Sequence, residues 1–301
     1  MNVLSLFDGI SCGRIAMERA GVKVDKYTAY EIDENAKKIS AFNYPDIIQK
    51  GDVFEADFTQ YENTDFLIGG SPCTYWSIAK AKNGRETTSS GLGWDLYSQY
   101  VRALKESQPQ YFIYENNFSM TKDIKNAITE TFGFEPVMIN SNLLSAQTRR
   151  RLYWVGRKEN GKYKKVFIPQ PEDKKILLTD VVDFSKLDFR PVSKWTETYF
   201  MGRKKIDTLK DIHSEKSHTL TTSKYHAMNY YLNDDKTKYC NLSVKNWESL
   251  QTLPEGYVDN VELKSEESKY KAIGNGWTVD VIAYIITNCL HEKQPVQSDL
   301  F

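Results

Sequence analysis

Cysteine is scarce in this chain: 301 residues contain 4. Cys12, Cys73, Cys240 and Cys289 lie far apart, without the paired spacing of a zinc site or the density of a disulfide scaffold, so no metal is expected. Proline is held to 9 residues, and no stretch approaches the ~20 apolar residues of a membrane helix. Disorder and collagen-like repeats are thereby excluded, and no membrane-spanning helix is expected. The opening MNVLSLFDG lacks the charged segment and small-residue cleavage site of a secretory leader, and a cytoplasmic location is expected. An excess of either charge is missing too, with 40 Lys+Arg against 40 Asp+Glu. Nucleic acid is neither indicated nor excluded by that balance, because binding depends on where charge sits. The charge is locally uneven: residues 147–165 hold eight basic side chains and one acidic one. What is abundant is 40% hydrophobic and 13% aromatic residues, the makings of a folded core at a length that suits one large domain with a smaller companion.

The first half alternates short apolar runs with amphipathic stretches, the order of strands and crossover helices in a parallel α/β sheet. Strands are expected at Val3–Phe7, Tyr27–Tyr30, Asp65–Ile68, Tyr111–Tyr114, Pro136–Ile139 and Leu152–Val155, with Asp33 capping a helix and further helices at Leu96–Ser107 and Lys122–Phe132. From about Arg157 to Glu267 the periodicity weakens into a charged, aromatic, loop-rich region. A last amphipathic helix, Trp277–Leu290, carries Val279, Ile282, Ile286 and Leu290 at helical spacing and should return to the sheet. The expected division is therefore 1–156 with 268–291 as one domain, 157–267 as a second and 292–301 as a tail.

Function in an open parallel sheet gathers at the carboxyl ends of the strands. After the first strand, Phe7-Asp8-Gly9-Ile10-Ser11-Cys12-Gly13 is a small-residue turn entering a helix, able to present backbone N–H groups to an anion. Glu31 follows about 20 residues later, where an acid can accept from a ribose diol. The pyrophosphate-binding G-x-G-x-x-G is absent, which disfavours a Rossmann dehydrogenase; S-adenosylmethionine needs no such cradle. Further along, Gly69-Gly70-Ser71-Pro72-Cys73 places a thiol just past a buried strand on a loop stiffened by proline. Glu115, in Tyr114-Glu115-Asn116-Asn117, ends another strand, where a carboxylate needs a partner or a job.

With these residues in view the chain resembles the DNA (cytosine-5)-methyltransferase family, of prokaryotic or phage type. Eight of its motifs occur in order: Phe7–Gly13, Glu31-Ile32, Gly51-Asp52-Val53, Ser71-Pro72-Cys73, Glu115-Asn116-Asn117, Gln147–Arg151 for Q-x-R-x-R, Trp247–Pro254 and Gly274-Asn275-Gly276-Trp277. The sequence departs from the family pattern in Phe-Asp-Gly-Ile-Ser-Cys for F-x-G-x-G-G, in Thr74 after the nucleophile, and in Asn117 where Val is usual.

The resemblance implies a Rossmann-like S-adenosylmethionine-dependent catalytic domain with a smaller target-recognition domain. It implies Cys73 as a nucleophile that adds to C6 of cytosine and Glu115 as the group that bonds N3 and the exocyclic amine. Arg149 and Arg151 would bind O2 and lower the thiol pKa. Phe7, Asp8, Gly9, Ile10, Ser11, Cys12, Gly13, Glu31, Ile32, Asp52, Val53, Pro72, Leu96, Asn275, Gly276 and Trp277 would hold the cofactor. The partner is duplex DNA with its target base flipped out. Ser77, Lys80, Lys82 and Arg85 follow the nucleophile on a glycine-rich segment suited to phosphate contact and closure, and Thr219 and Thr221 are the expected base readers. A branch of the family acting on tRNA carries Cys-Phe-Thr, not found here, and catalytically silent relatives usually lose the groups that this chain keeps. A monomer is expected. The terminal Gln297-Ser298-Asp299-Leu300-Phe301 resembles the peptide by which bacterial DNA-processing enzymes dock on the sliding clamp, through Gln297, Leu300 and Phe301.

Overall fold

The computed structural model describes residues 1–77, 84–194, 196–198 and 210–291. Lys80, Lys82 and the tail residues Gln297, Leu300 and Phe301 lie outside them. In chain order the first elements are β1 (Asn2–Leu6), α1 (Cys12–Arg19), β2 (Lys26–Tyr30), α2 (Glu34–Asn43), β3 (Ile48–Lys50), β4 (Phe66–Gly69), α3 (Leu92–Ser107), β5 (Tyr111–Asn117) and α4 (Lys122–Phe132). They continue with β6 (Val137–Asn140), β7 (Arg150–Glu159), β8 (Lys162–Lys165), α5 (Leu178–Val181), β9 (Arg190–Pro191), β10 (Lys210–Asp211), β11 (Tyr230–Leu232) and β12 (Lys238–Asn241). The last three are α6 (Val244–Leu250), α7 (Glu266–Asn275) and α8 (Val279–Leu290).

The main sheet runs β3-β2-β1-β4-β5-β7-β6, with β8 paired to β7. Pairings among the first five strands are parallel, and those of β7 with β5, β6 and β8 are antiparallel. Alternation splits each central strand between two cores. Val3, Ala29, Phe66, Ile68 and Ile113 face one cluster with α1, α2 and α8, while Leu4, Leu6, Leu67, Phe112 and Tyr114 face another with α3 and α4. Helix α8 packs back onto the sheet as expected, its Asp280 paired with Arg19 of α1 at 2.6 Å.

Three of the differences from the sequence expectation bear on the strand ends and the basic run. Strand β5 runs on through Asn117, because its polar end is held by register against β7, Glu115 opposite Tyr153 and Asn117 opposite Arg151. The last helix starts at Val279, so Trp277 stays outside it. Strands β7 and β8 form a hairpin across Asn160 and Gly161, both at positive φ (50° and 78°), the backbone of a primed turn. The hairpin carries the basic run 157–165 to the end of the sheet opposite Glu115.

In the expected second region, β10-β11-β12-β9 form a four-stranded sheet with a small cluster of Tyr230, Leu232 and Tyr239. Val166, Ile168, Leu178, Leu220, Leu242 and Trp247 instead join the core beneath α1 and α8.

Candidate active site

The turn after β1 is built from inside. Asp8 is half-buried and accepts from Ser5 Oγ (2.6 Å), Ser11 Oγ (2.5 Å) and Tyr27 OH (2.7 Å). Burial still outweighs those three donors and raises its pKa. Cys12 is buried, its thiol pushed up to about 12 chiefly by desolvation. Ser11 sits in left-handed backbone and bonds Ser40 Oγ at 2.6 Å. Asp8, Ser11 and Cys12 therefore act as scaffold through their side chains, and what the turn offers outward is backbone. Gly9, at φ +60°, has nothing within 4 Å of where a Cβ would stand, whereas a Cβ on Gly13 would lie 2.4 Å from Ile68 Cδ1.

Glu31 follows β2 directly and is stitched to that turn. One oxygen accepts from Gly9 N (2.8 Å), and the other from Ile32 N and Asp33 N (both 2.8 Å). Beside it Ile32 is 69% exposed, an apolar side chain standing clear of the surface, as does Phe54, which the sequence reading did not single out. Asp52 accepts from Phe54 N at 2.9 Å. Val53 is buried and its carbonyl is held by Arg102. Leu96 packs at the edge of the second core. Asn275 is exposed, and a Cβ on Gly276 would lie 3.2 Å from Cys12 Sγ, so the C-terminal motif abuts the N-terminal turn.

Of the four cysteines, Cys73 alone is not buried. Pro72 caps the short 3-10 turn Cys73–Tyr75. The loop is stapled to the end of β5: Asn116 Nδ2 donates to Ser71 O (3.1 Å), and Asn117 Nδ2 reaches Cys73 O (3.4 Å). Asn117, the departure from the usual Val, thus ties the Cys73 loop to β5. Gly70 makes the close approach feasible, since a Cβ there would stand 2.7 Å from Glu115 Oε2 and 2.8 Å from Glu115 O.

Glu115 is buried. Its Oε2 accepts from Trp277 Nε1 at 2.9 Å, and Arg151 Nε lies 3.0 Å from Oε1. That ion pair lacks hydrogen-bond geometry, so Oε1 is a buried oxygen without a donor. The register explains the meeting: Glu115 and Arg151 are diagonal neighbours on one face of β5 and β7.

Arg149 is buried deeper. It donates to Leu220 O (3.2 Å) and to Gly274 O and Gly276 O (both 3.0 Å). Burial first, and then Arg151, lower its pKa to about 10, while Glu115 and Cys73 act the other way. It is a bolt between distant segments. Buried Gln147 and Gln251 extend the bolt: Gln147 Nε2 donates to Gln251 Oε1 (3.0 Å), and Gln251 Nε2 to Ile273 O and Gly276 O (both 3.0 Å). Gly274 is pressed so closely on Thr221 that a Cβ would fall 1.8 Å from its carbonyl oxygen. Glu248 takes three backbone N–H bonds, from Gly256, Val258 and Asp259. The roles of Gln251 and Glu248 were missed, although both lie in the Trp247–Pro254 motif.

The expected DNA contacts fare differently. Ser77 N donates to Cys73 O at 2.9 Å. Arg85 is turned inward, donating to Trp76 O (3.0 Å) and to Ser119 O, so in this conformation it clamps the loop rather than facing a phosphate. Thr219 Oγ1 donates to Thr148 O (2.6 Å), and Thr221 Oγ1 to Ser223 O (3.1 Å) while accepting from Asn229. Both hydroxyls serve the framework.

Strand order and turn define an α/β methyltransferase fold, here with a thiol and a buried carboxylate at adjoining strand ends. The chain belongs to the family described as C-5 cytosine-specific DNA methylase, whose pattern matches residues 1–238. Orphan methyltransferase M.SPRI of Bacillus phage SPR is 30% identical over 250 residues, 79% of this chain and 53% of that protein. Type II methyltransferase M.HpaII of Haemophilus parainfluenzae is 26% identical, with 93% of this chain and 86% of the relative covered. The chain spans about half the length of the phage relatives it matches. Among solved structures, S. pombe Dnmt2 methyltransferase superposes with a TM-score of 0.69 at 16% identity, covering 97% of this chain and 99% of that one. A putative DNA modification methyltransferase encoded within an E. coli prophage gives 0.65 at 18%, covering 96% and 98%. These likenesses show the fold.

Proposed function

We propose that the chain methylates C5 of a cytosine in duplex DNA, with S-adenosylmethionine as donor and Cys73 as covalent catalyst. The observation that carries this reading is Glu115 Oε1, a buried oxygen without a hydrogen-bond donor, next to Arg151 and on the strand stapled to the Cys73 loop. The Arg151 ion pair leaves that oxygen without a hydrogen bond, and the donor edge of a base would supply one.

The residues present fit the cofactor. Glu31 and Asp52 stand ready for its ribose and adenine amine, Ile32 offers an exposed apolar side, and the open backbone at Gly9 enters α1 where a carboxylate can be held. When bound, S-adenosylmethionine supplies an electrophilic methyl group.

The chain's own residues solve the other half of the problem. C5 of cytosine is a weak nucleophile because the ring electrons are delocalised. Addition of the Cys73 thiolate to C6 removes the C5=C6 double bond, and C5 becomes the nucleophilic end of an enamine. Glu115, on N3 and the exocyclic amine, and Arg151, beside O2, stabilise charge moving onto the ring. Loss of the C5 proton and β-elimination of the thiolate then restore aromaticity and free Cys73.

The base must leave the duplex, at a cost on the order of a few kcal/mol. Residues 157–267 are assigned the sequence readout, on the support of their separate four-stranded sheet and the Gly274–Thr221 contact that bolts it to the site. Tail docking on a sliding clamp, monomeric action and residence in a bacterial or phage-infected cytoplasm belong to the same proposal. Incubation with tritiated S-adenosylmethionine and either duplex DNA or tRNA tests it. Label in DNA is expected, and label confined to tRNA would replace the substrate.

A further inference from the structure

One pair of residues at the rim of the site has no part in the chemistry above. Phe118 follows Asn117 directly and is 42% exposed, and the Arg150 guanidinium lies over its ring, 4.7 Å from the centroid. Alternation along β7 explains the placement. Arg151 turns to Glu115, so Arg150 turns to the other face and stands exposed at the first position of the strand. Among the described residues Arg150 has no carboxylate partner.

The segment carrying Phe118 is fastened to the nucleophile loop on both sides. Asn117 reaches Cys73 O, Arg85 reaches Ser119 O, and Thr121 Oγ1 donates to Thr87 O at 2.8 Å. A cation without a carboxylate partner is thus held on a segment tied to the Cys73 loop. Held over the ring, the guanidinium has fewer rotamers, and its N–H groups are available to the oxygens of an anion.

We propose that Arg150, oriented by Phe118, grips a backbone phosphate of the DNA strand next to the extruded cytosine. This contact rests on the DNA reading above. It is tested with the full chain and a duplex that the wild type methylates, measuring kcat, KM and the salt dependence of DNA binding. Arg150→Ala should raise KM for DNA by about tenfold, change kcat less than twofold and flatten the slope of log Kd against log salt by about 0.9, the loss of one phosphate contact. Phe118→Leu should keep that slope while raising KM about threefold, and Arg150→Lys should keep the slope with part of the affinity. S-adenosylhomocysteine affinity should be unchanged in all three, which separates a lost contact from a damaged fold. If Arg150→Ala does not fold, an unaltered KM in both Phe118→Leu and Arg150→Lys overturns the contact. A wild type that methylates DNA alongside an Arg150→Ala variant of equal KM and equal slope overturns it directly. A wild type that ignores DNA refutes the functional reading and this contact with it.

Discussion

The acids of the cofactor turn and the acid at the end of β5 are treated in opposite ways. Asp8 is met by three hydroxyl donors and Glu31 by three backbone N–H groups. Glu115 receives one hydrogen bond, from Trp277, and its other oxygen has the Arg151 ion pair but no hydrogen bond. Asp8 and Glu31 are thus bound into the framework, Glu31 with lone-pair capacity beyond its three bonds, whereas one oxygen of Glu115 has the Arg151 ion pair and no hydrogen bond.

The sharpest way to break this contrast is Glu115→Gln, which keeps the shape and removes the charge. Turnover should fall by about 10²–10³ with cofactor affinity near normal, the size seen when an electrostatic stabiliser of a transition state is lost. Equal losses in both would make Glu115 one more framework acid. Gly70→Ala comes next, because its Cβ must displace the Glu115 carboxyl or main chain. A fall in turnover of about ten- to a hundredfold is expected, measured as methyl transfer under saturating DNA. Glu31→Ala removes an anchor of the turn and should weaken S-adenosylmethionine binding by roughly 1–3 kcal/mol by calorimetry. Unchanged affinity would remove Glu31 from the cofactor site.

The smallest effect concerns Asp8 and pH. Its folded pKa is raised by burial, so the folded state holds the proton more tightly than the unfolded one. Its contribution is full below the ordinary carboxylate value and is lost as pH rises through the raised folded value. Asp8→Asn should erase that part of the stability profile. Melting curves that fall identically with pH in both proteins would assign the dependence to another group.

The sequence made the framework easier to read than the site. Apolar strands and small-residue turns repeat at short range, and Asp33 caps α2 through Asn35 and Ala36 as its position implied. The polar end of β5 was illegible because Glu115-Asn116-Asn117 has little strand preference of its own; pairing with β7 extends it. The β7–β8 hairpin did leave a local mark, Asn160-Gly161, which went unread. The Gln147–Gln251 and Trp277–Glu115 bonds join residues more than 100 positions apart, and motif order alone does not say which atoms meet. The same limit applies to Thr219, Thr221 and Arg85, whose residue types suit DNA while their donors serve the protein.

The covalent role of Cys73 is the central claim, and trapping tests it most directly. Duplex DNA carrying 5-fluorocytosine at the methylated position is incubated with S-adenosylmethionine and the full chain, then denatured and resolved by mass. Fluorine at C5 blocks the final elimination, so a stable one-to-one protein–DNA adduct bearing the transferred methyl group, attached at Cys73 by peptide mapping, is the predicted result, absent with Cys73→Ser. Methylation of ordinary cytosine by the wild type with no adduct on the fluorinated duplex, or an adduct that persists in Cys73→Ser, would contradict the account.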